Sequence, residues 1–585
     1  MTISLDSGGG YTGVSWKGSS ETSIHNIINT SACTFYAPLK SSLILSKGTG
    51  DPTWSRATKA WGFNELGYLE ELASGCAFFG GARLVRNLCP SNSDNFSGAT
   101  LGRCSIVSAA VANHRGTNTA VKYLLENIAG AHYARISTTA YAGMVIRVSV
   151  VVKRDEYQYI SVRSGQETTP EAFNLTTNTW INAAQTETVA RSFEVIDATW
   201  IRLTVASTVS TGTKYFGAGC SSSLGSDSWA PAGTENFTIA DVSICDVTNY
   251  DASYVPEYVS VGVASAPYYG AGIDGAKYFE TDWQGAPIAA ANLLGFRREA
   301  AATNNLLHSR DLSNAAWSTK TNITAAKTAT GLDGIANTAT TLTATAADAI
   351  ILQPITLASA ARCSSAYVKR RTGTGTISFT QDGGSTWTDI TAQINGSTWS
   401  RVQITSTLAN PSTGFKISTS GDAIDVDCVQ NEAGAVATSP IVTTTATVTR
   451  NQDSLTYQLL SNLDDIAGTI SVITQPLVWT SGGAVGSVSN GLLLSAANSG
   501  VVGNDGTNTA NGPAGSPTGT EKLALRWGGG AMTAASGGTL GTPGTYDGSL
   551  SLANIGIGVG SYGYFNNVAI FNYTMTDAEQ QAITT

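Results

Sequence analysis

The chain has 585 residues, 13% of them charged, with 62 glycines and a formal net charge of −9, and its apolar 42% includes 12 Trp, 21 Tyr and 15 Phe. That aromatic content excludes a disordered chain, and the acidic balance excludes nucleic acid as the main partner, because neutralising phosphates takes clustered Lys and Arg. No apolar run reaches the ~20 residues of a membrane span, so no membrane insertion is expected, and the length calls for several domains rather than one core.

Residues 1–37 form an N-terminal segment without a basic stretch followed by an apolar one, so no secretory leader is read there and folding in a reducing cytoplasm is expected. A lead-in segment follows at 38–83. Residues 84–258 then form a first module, 259–303 a second lead-in or linker, and 304–450 a diverged second copy of the module. Four landmarks recur in one order. Asn87-Leu88-Cys89-Pro90 is answered by Asn305-Leu306-Leu307-His308, and the run Val148 to Arg154 by Tyr367 to Arg370. Trp200-Ile201-Arg202 is answered by Trp399-Ser400-Arg401, and the closing stretch Ile239 to Pro256 by Ile424 to Pro440.

Alternation sets the fold of the module. Ile201, Leu203 and Val205 fall on one strand face, and Ile424, Val426 and Cys428 on another. Turn signals such as Asp382-Gly383-Gly384 and Asn395-Gly396 separate the strands, and no long amphipathic helix interrupts them. The expectation is all-β, with tandem antiparallel β-sandwich modules of the jelly-roll kind. The two Trp-x-Arg pairs read as structural, each arginine lying over its own tryptophan two residues before it.

Residues 451–585 read as a third unit. Asp453–Tyr457 and Ile470–Ile473 are strands, Leu523, Leu525 and Trp527 share a strand face, and Tyr564 to Asn572 is a closing strand. Thr576-Asp577-Ala578-Glu579 then fits a capping box that opens one short helix. The eight cysteines, Cys33, Cys76, Cys89, Cys104, Cys220, Cys245, Cys363 and Cys428, include no CxxC pair and no zinc spacing, and read as buried thiols. Cys363 and Cys428 are expected to stay reduced, although a bridge would be open to them if their strands were neighbours.

Several stretches resemble bacteriophage virion proteins: tail fibres, tail-associated proteins and head fibres with carbohydrate-binding-like sandwiches. They are Trp54-Ser55-Arg56-Ala57-Thr58-Lys59-Ala60, Gly81 to Leu88, Gly270 to Phe279, Glu299 to Leu307 and Val429 to Thr443. The C-terminal unit, with its closing strand and Met575-Thr576-Asp577-Ala578-Glu579, resembles the laminin-G or concanavalin-A-like lectin fold. The resemblance implies a structural protein on the virion surface, made in the bacterial host cytoplasm. It would be a tail fibre or receptor-binding protein that attaches to bacterial surface polysaccharide, with a capsid fibre or decoration protein as the alternative. It also implies a homo-trimer, with residues 1–37 docking to other virion proteins.

Catalysis is not expected, and no catalytic residue is assigned. Glycoside hydrolysis needs two carboxylates in different environments, and neither Asp425 with Asp427 nor Asp464 with Asp465 lies among cleft-forming aromatics. A polysaccharide depolymerase remains the alternative from another class. The glycan-binding candidates are Trp387 and Asp389 beside a turn of the second module, with Trp479, Trp527 and Tyr562 in the C-terminal unit. No cofactor is expected. A structural calcium ion is left open, with Asp241, Asp422, Asp425, Asp427 and Asp547 as carboxylates that could contribute to it.

Overall fold

Central strands of the first module alternate between an apolar inner face and a mixed outer face. In Trp200–Thr208, Ile201, Leu203 and Val205 point into the space between two sheets, while Trp200 packs on the opposite face against Ala120, Val151 and Ala240. This arrangement is seen in a computed structural model that describes residues 32–90, 92–96, 98–165, 169–262, 270–478, 483–487, 491–497, 500–514, 519–550, 552–559 and 562–585. The chain divides into two units: Arg83–Ile288, and Met1–Ala82 together with Ala289–Thr585.

The first unit is a sandwich of two six-stranded antiparallel sheets. The front sheet runs Thr179–Trp180, Glu171–Asn174, Tyr159–Ser164, Lys214–Cys220, His132–Thr138, Thr100–Gly102. The back sheet runs Thr188–Val195, Trp200–Thr208, Val145–Lys153, Asn236–Asp246, Ala120–Leu125, Cys104–Val111. Val148, Val150, Ile160, Phe173, Phe216 and Phe237 are fully buried between them.

The second module repeats this plan strand for strand. Its front sheet runs Thr388–Asp389, Ile377–Thr380, Ser412–Ile417, Ala349–Pro354, Thr319–Thr321, and its back sheet Ser400–Leu408, Ala360–Thr372, Ala423–Ala433, Ala339–Ala344, Ile323–Ala329. The first module differs by the added strands Thr179–Trp180 and Thr188–Val195.

Each copy is closed by the same buried asparagine. The Asn87 amide donates to the carbonyls of Val242 (3.1 Å) and Val259 (2.9 Å), and its oxygen accepts from the amides of Cys89 and Ile244. Asn304 donates to Val429 (3.0 Å) and Ile441 (2.9 Å) and accepts from Leu306 and Asn431. The counterpart of Asn87 is therefore Asn304, one residue before the Asn305 that the sequence pattern suggested. Ser93 with Val261 and Ser309 with Thr443 form a second matching latch.

The C-terminal sandwich is larger than residues 451–585. Its nine-stranded sheet takes in Cys33–Ala37, Phe79–Gly80 and Gly295–Arg298 around the closing strand Tyr562–Phe571, and its seven-stranded sheet takes in Thr53–Ser55 beside Ser454–Tyr457. The expected boundaries are corrected accordingly. Within 38–83, Thr53–Ser55 and Phe79–Gly80 are strands of the terminal sandwich and Ala60–Phe63 pairs with Leu69–Leu72, because pieces this short are stable only when paired. The stretch 259–303 splits near 288: Ala276–Phe279 pairs with Arg83–Arg86 in the first unit, and Gly295–Arg298 belongs to the other. Of the expected attachment segment 1–37, Cys33–Ala37 is a sheet strand, and 1–31 lies outside the described residues. The short helix forms as expected at Asp577–Thr584, with Thr576 and Glu579 completing the capping box.

All eight cysteines are buried. Cys363 and Cys428 do sit on adjacent strands, but Cys363 faces Glu432 whereas Asp427, next to Cys428, faces Tyr367. The four residues from Cys363 to Tyr367 span about 13 Å of ladder, beyond any disulfide. Cys428 also leaves the expected inward row. Its backbone is left-handed (φ 48°), a local irregularity that turns it toward Leu69 and Leu332 while Val429 takes the core position. Asp241 of the first module has the same backbone (φ 51°).

Candidate functional site

Of the sequence candidates, Trp387 and Asp389 lie at the surface of the second module. Trp387 is half-buried on a turn held by the Asp382 carboxylate, which accepts from the Thr386 amide at 2.9 Å. The turn needs glycine at 384 (φ 91°), where a Cβ would come within 2.9 Å of the Trp387 ring. The Lys416 ammonium lies 5.3 Å from the centre of that ring. Asp389 is exposed, and hydrogen bonds from Thr391 hold its carboxyl below the ordinary range.

The C-terminal candidates are placed differently. Trp527 is fully buried, donates its indole N–H to the Asp464 carbonyl (2.9 Å) and covers Gly468, so no ring face is open to a sugar. Tyr562 is buried beside Glu299, its phenol pushed well up by that burial first and by the carboxylate second. Both are core positions, as large aromatics on a central strand tend to be. Trp479 lies outside the described residues.

The carboxylates considered for catalysis or calcium are largely engaged by cations. Asp427 takes two 2.8 Å hydrogen bonds from Arg310 and one from the Leu332 amide, and Asp425 accepts from Thr341 (2.8 Å) and Arg371 (3.1 Å). Asp241 is held by Arg115 (2.7 Å) and His114 (2.7 Å), and Asp422 lies 3.6 Å from Arg370. Asp464 and Asp547 accept from the turn amides of Ile466 and Ser549. Among the described residues no three His, Cys, Asp or Glu side chains converge as metal ligands. The Trp-x-Arg reading is also corrected. Trp399 is capped from the neighbouring strand by Lys369 (5.1 Å) and Arg401 lies over Tyr367 (5.4 Å), while Arg202 pairs with Glu194.

A more developed surface site lies on the outer face of the front sheet in the first module. Period-two alternation puts Tyr133 and Arg135 on that face of His132–Thr138, and Tyr215, Gly217 and Gly219 on that face of Lys214–Cys220. Arg135 faces Gly217, which on its other side faces Arg163 of Tyr159–Ser164. A Cβ at Gly217 would lie 2.5 Å from the Ala134 carbonyl oxygen, and one at Gly219 2.2 Å from that of His132. At 217 and 219 the middle strand therefore stays bare, and side chains from its neighbours lean across it. The Tyr133 ring also lies flat over Gly102, where a Cβ would come within 2.4 Å.

The Arg135 guanidinium is stacked between two rings, its carbon 3.6 Å from the centre of Tyr133 and 3.7 Å from that of Tyr215. Among the described residues it has no ion-pair partner. Arg163, in contrast, is paired with Asp227, and burial draws its pKa down despite that carboxylate. Tyr133, Arg135 and Tyr215 are all partly open to solvent. The second module does not repeat this patch. Register around Gly414 places Leu352 where Arg135 stands and Thr380 where Arg163 stands.

Sequence reasoning passed over these residues. The available signals were Tyr133-Ala134-Arg135 and Tyr215-Phe216-Gly217-Ala218-Gly219, each an outward alternation. That the two strands are neighbours, some 80 residues apart in sequence, is a fact of topology.

No family model and no curated protein matches the chain. Among solved structures it is similar to domain 4 of AbnA, a GH43 extracellular arabinanase from Geobacillus stearothermophilus, in complex with arabinotriose. That likeness covers 23% of this chain and 73% of the other, at 16% identity and a TM-score of 0.19. It is also similar to the N-terminal CBM22-1-CBM22-2 tandem domain of Xyn10C from Paenibacillus barcinonensis, over 62% of this chain and 100% of the other, at 11% identity and a TM-score of 0.20.

Proposed function

We propose that the chain is a non-catalytic glycan-binding protein displayed on a bacteriophage particle, as a tail fibre or tail-associated receptor-binding protein that attaches to bacterial surface polysaccharide. The observation that carries the glycan reading is the stack of Tyr133, Arg135 and Tyr215 on a floor of glycines. Partly open aromatic rings offer apolar area to a sugar, and fixed donors beside them suit its hydroxyls. The virion setting is supported by the resemblance of the lead-in and closing stretches to phage appendage proteins. Several of those stretches serve as framework here: Arg56, Asn87, Glu299, Asn304 and Gln430 are buried and hydrogen-bonded.

Exposed apolar side chains on both edge strands of the back sheet, Val189, Phe193 and Val195 on one and Ile106 and Val107 on the other, support association into a homo-trimer. Avidity would then multiply weak sugar contacts. Light scattering that finds a monomer at micromolar concentration would remove the trimer. Antibody labelling of intact particles tests the setting, and label confined to the head would exclude a tail fibre.

The binding site is tested on immobilised bacterial surface polysaccharides, a panel of neutral, carboxylate-bearing and phosphate-bearing members. The joint variant Tyr133→Ala, Tyr215→Ala is expected to bind at least tenfold more weakly than the native chain, about 1.4 kcal/mol. Its melting temperature should change little, since both side chains lie on the outer face. Undiminished binding would discard this surface as the site.

A further inference from the structure

Resting on the glycan reading, we infer that the front face of the first module selects polysaccharides bearing carboxylate groups, and that Arg135 is the residue that reads the acid. Arginines of the described chain near a carboxylate are commonly spent on it: Arg56 on Asp453, Arg83 on Glu257, Arg115 on Asp241, Arg163 on Asp227, Arg191 on Glu171 and Arg310 on Asp427. Arg135 is not, although it sits on a central strand of a sheet in a chain of net charge −9. Among the described residues, the neighbouring Arg163 is paired with Asp227. Among the described residues, the face around Gly217 thus keeps one positive charge, Arg135, without an ion-pair partner.

The stacking decides the shape of the anion. With a ring 3.6 Å away on one side and another 3.7 Å away on the other, both faces of the guanidinium are covered. Only its N–H edge is left for a ligand. That edge is a planar fork, which a planar carboxylate meets with two parallel hydrogen bonds in the same plane. A phosphate can also meet the fork with two oxygens, but its remaining substituents lie out of that plane, toward the tyrosine rings. Stacking also holds the fork in one orientation before the ligand arrives, so little side-chain entropy is lost on binding. The sugar ring that carries the acid would lie against the outer edge of Tyr133 or Tyr215. The second module, with Leu352 and Thr380 at the corresponding positions, lacks this preference.

The experiment uses the full chain and the same panel, with each carboxylate-bearing polysaccharide offered in native form and after reduction of its carboxyl groups to primary alcohols. The native acid is expected to bind at least tenfold more tightly than its reduced form, with a preference that shrinks as salt rises. Arg135→Gln is expected to remove that preference, so that the acid and its reduced form bind the variant alike. Arg135→Lys, which keeps a charge but not the fork, is expected to recover only part of it. Equal binding of acid and reduced forms overturns the inference, and so does a stronger preference for phosphate-bearing members. If acid and reduced forms bind equally and the double tyrosine variant binds neither, the glycan reading survives and the acid preference falls. If the native chain binds no member of the panel, both fall together. The comparison of native with reduced polysaccharide needs no variant, so it stands even if a substitution at 135 disturbs the fold.

Discussion

Asn304→Ala is expected to destabilise the second module by about 3–5 kcal/mol, because it orphans four buried backbone groups at ~1–3 kcal/mol each, partly relieved by relaxation. The side chain is fully buried and bonds the carbonyls of Val429 and Ile441 and the amides of Leu306 and Asn431, tying the entering segment to the last strand and to the stretch that follows it. Asn304→Asp is the sharper variant. It keeps the acceptor but sets a carboxylate oxygen against two carbonyls, so it should be at least as damaging as alanine. Asn87→Ala should act in the same direction on the first module. Native-state hydrogen exchange, read separately over 83–288 and 304–450, measures each effect where it occurs. A loss under 1 kcal/mol at Asn304 would show that the latch is not what closes the sandwich.

The second large effect is expected at Glu299, at the centre of a buried charge network. Its carboxylate accepts from the amide (2.8 Å) and hydroxyl (2.7 Å) of Ser439, pairs with Arg450 and lies 3.3 Å from Arg297. The Glu299 amide in turn donates to Asp453 (2.9 Å), which pairs with Arg56. Glu299→Ala leaves Arg297 and Arg450 without their carboxylate in a dry site, a loss of about 3–5 kcal/mol. Burial alone would push the Glu299 carboxyl up, but Arg297, Arg450 and Ser439 outweigh it and hold the group far below its ordinary 4.5.

A depressed folded pKa means that the unfolded chain takes up the proton first. The stabilisation is therefore full above pH 4.5 and is withdrawn as pH falls below it. Asp453 acts with the opposite sign, since burial raises its carboxyl. The difference between native chain and Glu299→Gln, followed by urea unfolding from pH 7 to pH 3, isolates Glu299. The native chain should lose stability faster than the variant below pH 4.5. Parallel curves would mean that the network carries no net ionic stabilisation.

Features that depend on near neighbours were legible before the structure was seen. The capping box at Thr576 and Glu579 formed where a hydroxyl and a carboxylate three residues apart can satisfy the first helical amides. Leu523, Leu525 and Trp527 shared a buried face because side chains alternate along any strand. The same alternation could not say which aromatic rings would be core. Trp527 and Tyr562 are glycan-binding candidates in the sequence, and the packing around them makes them interior.

By itself, the sequence determined the all-β class, the duplicated module and its order of landmarks, because alternation, turn chemistry and internal similarity are written within short stretches. Only the tertiary structure decided which strands are neighbours. Phe35 pairs with Ile570, Trp54 with Leu455, and Phe296 with both Phe79 and Phe565. A strand of two to five residues carries too little pattern to name a partner hundreds of residues away, and any free edge offers it the same backbone bonds. The stack of Tyr133, Arg135 and Tyr215 arose in this way, since its parts lie on two strands that become adjacent only when the sheet is assembled, with Gly217 holding open the space between Arg135 and Arg163.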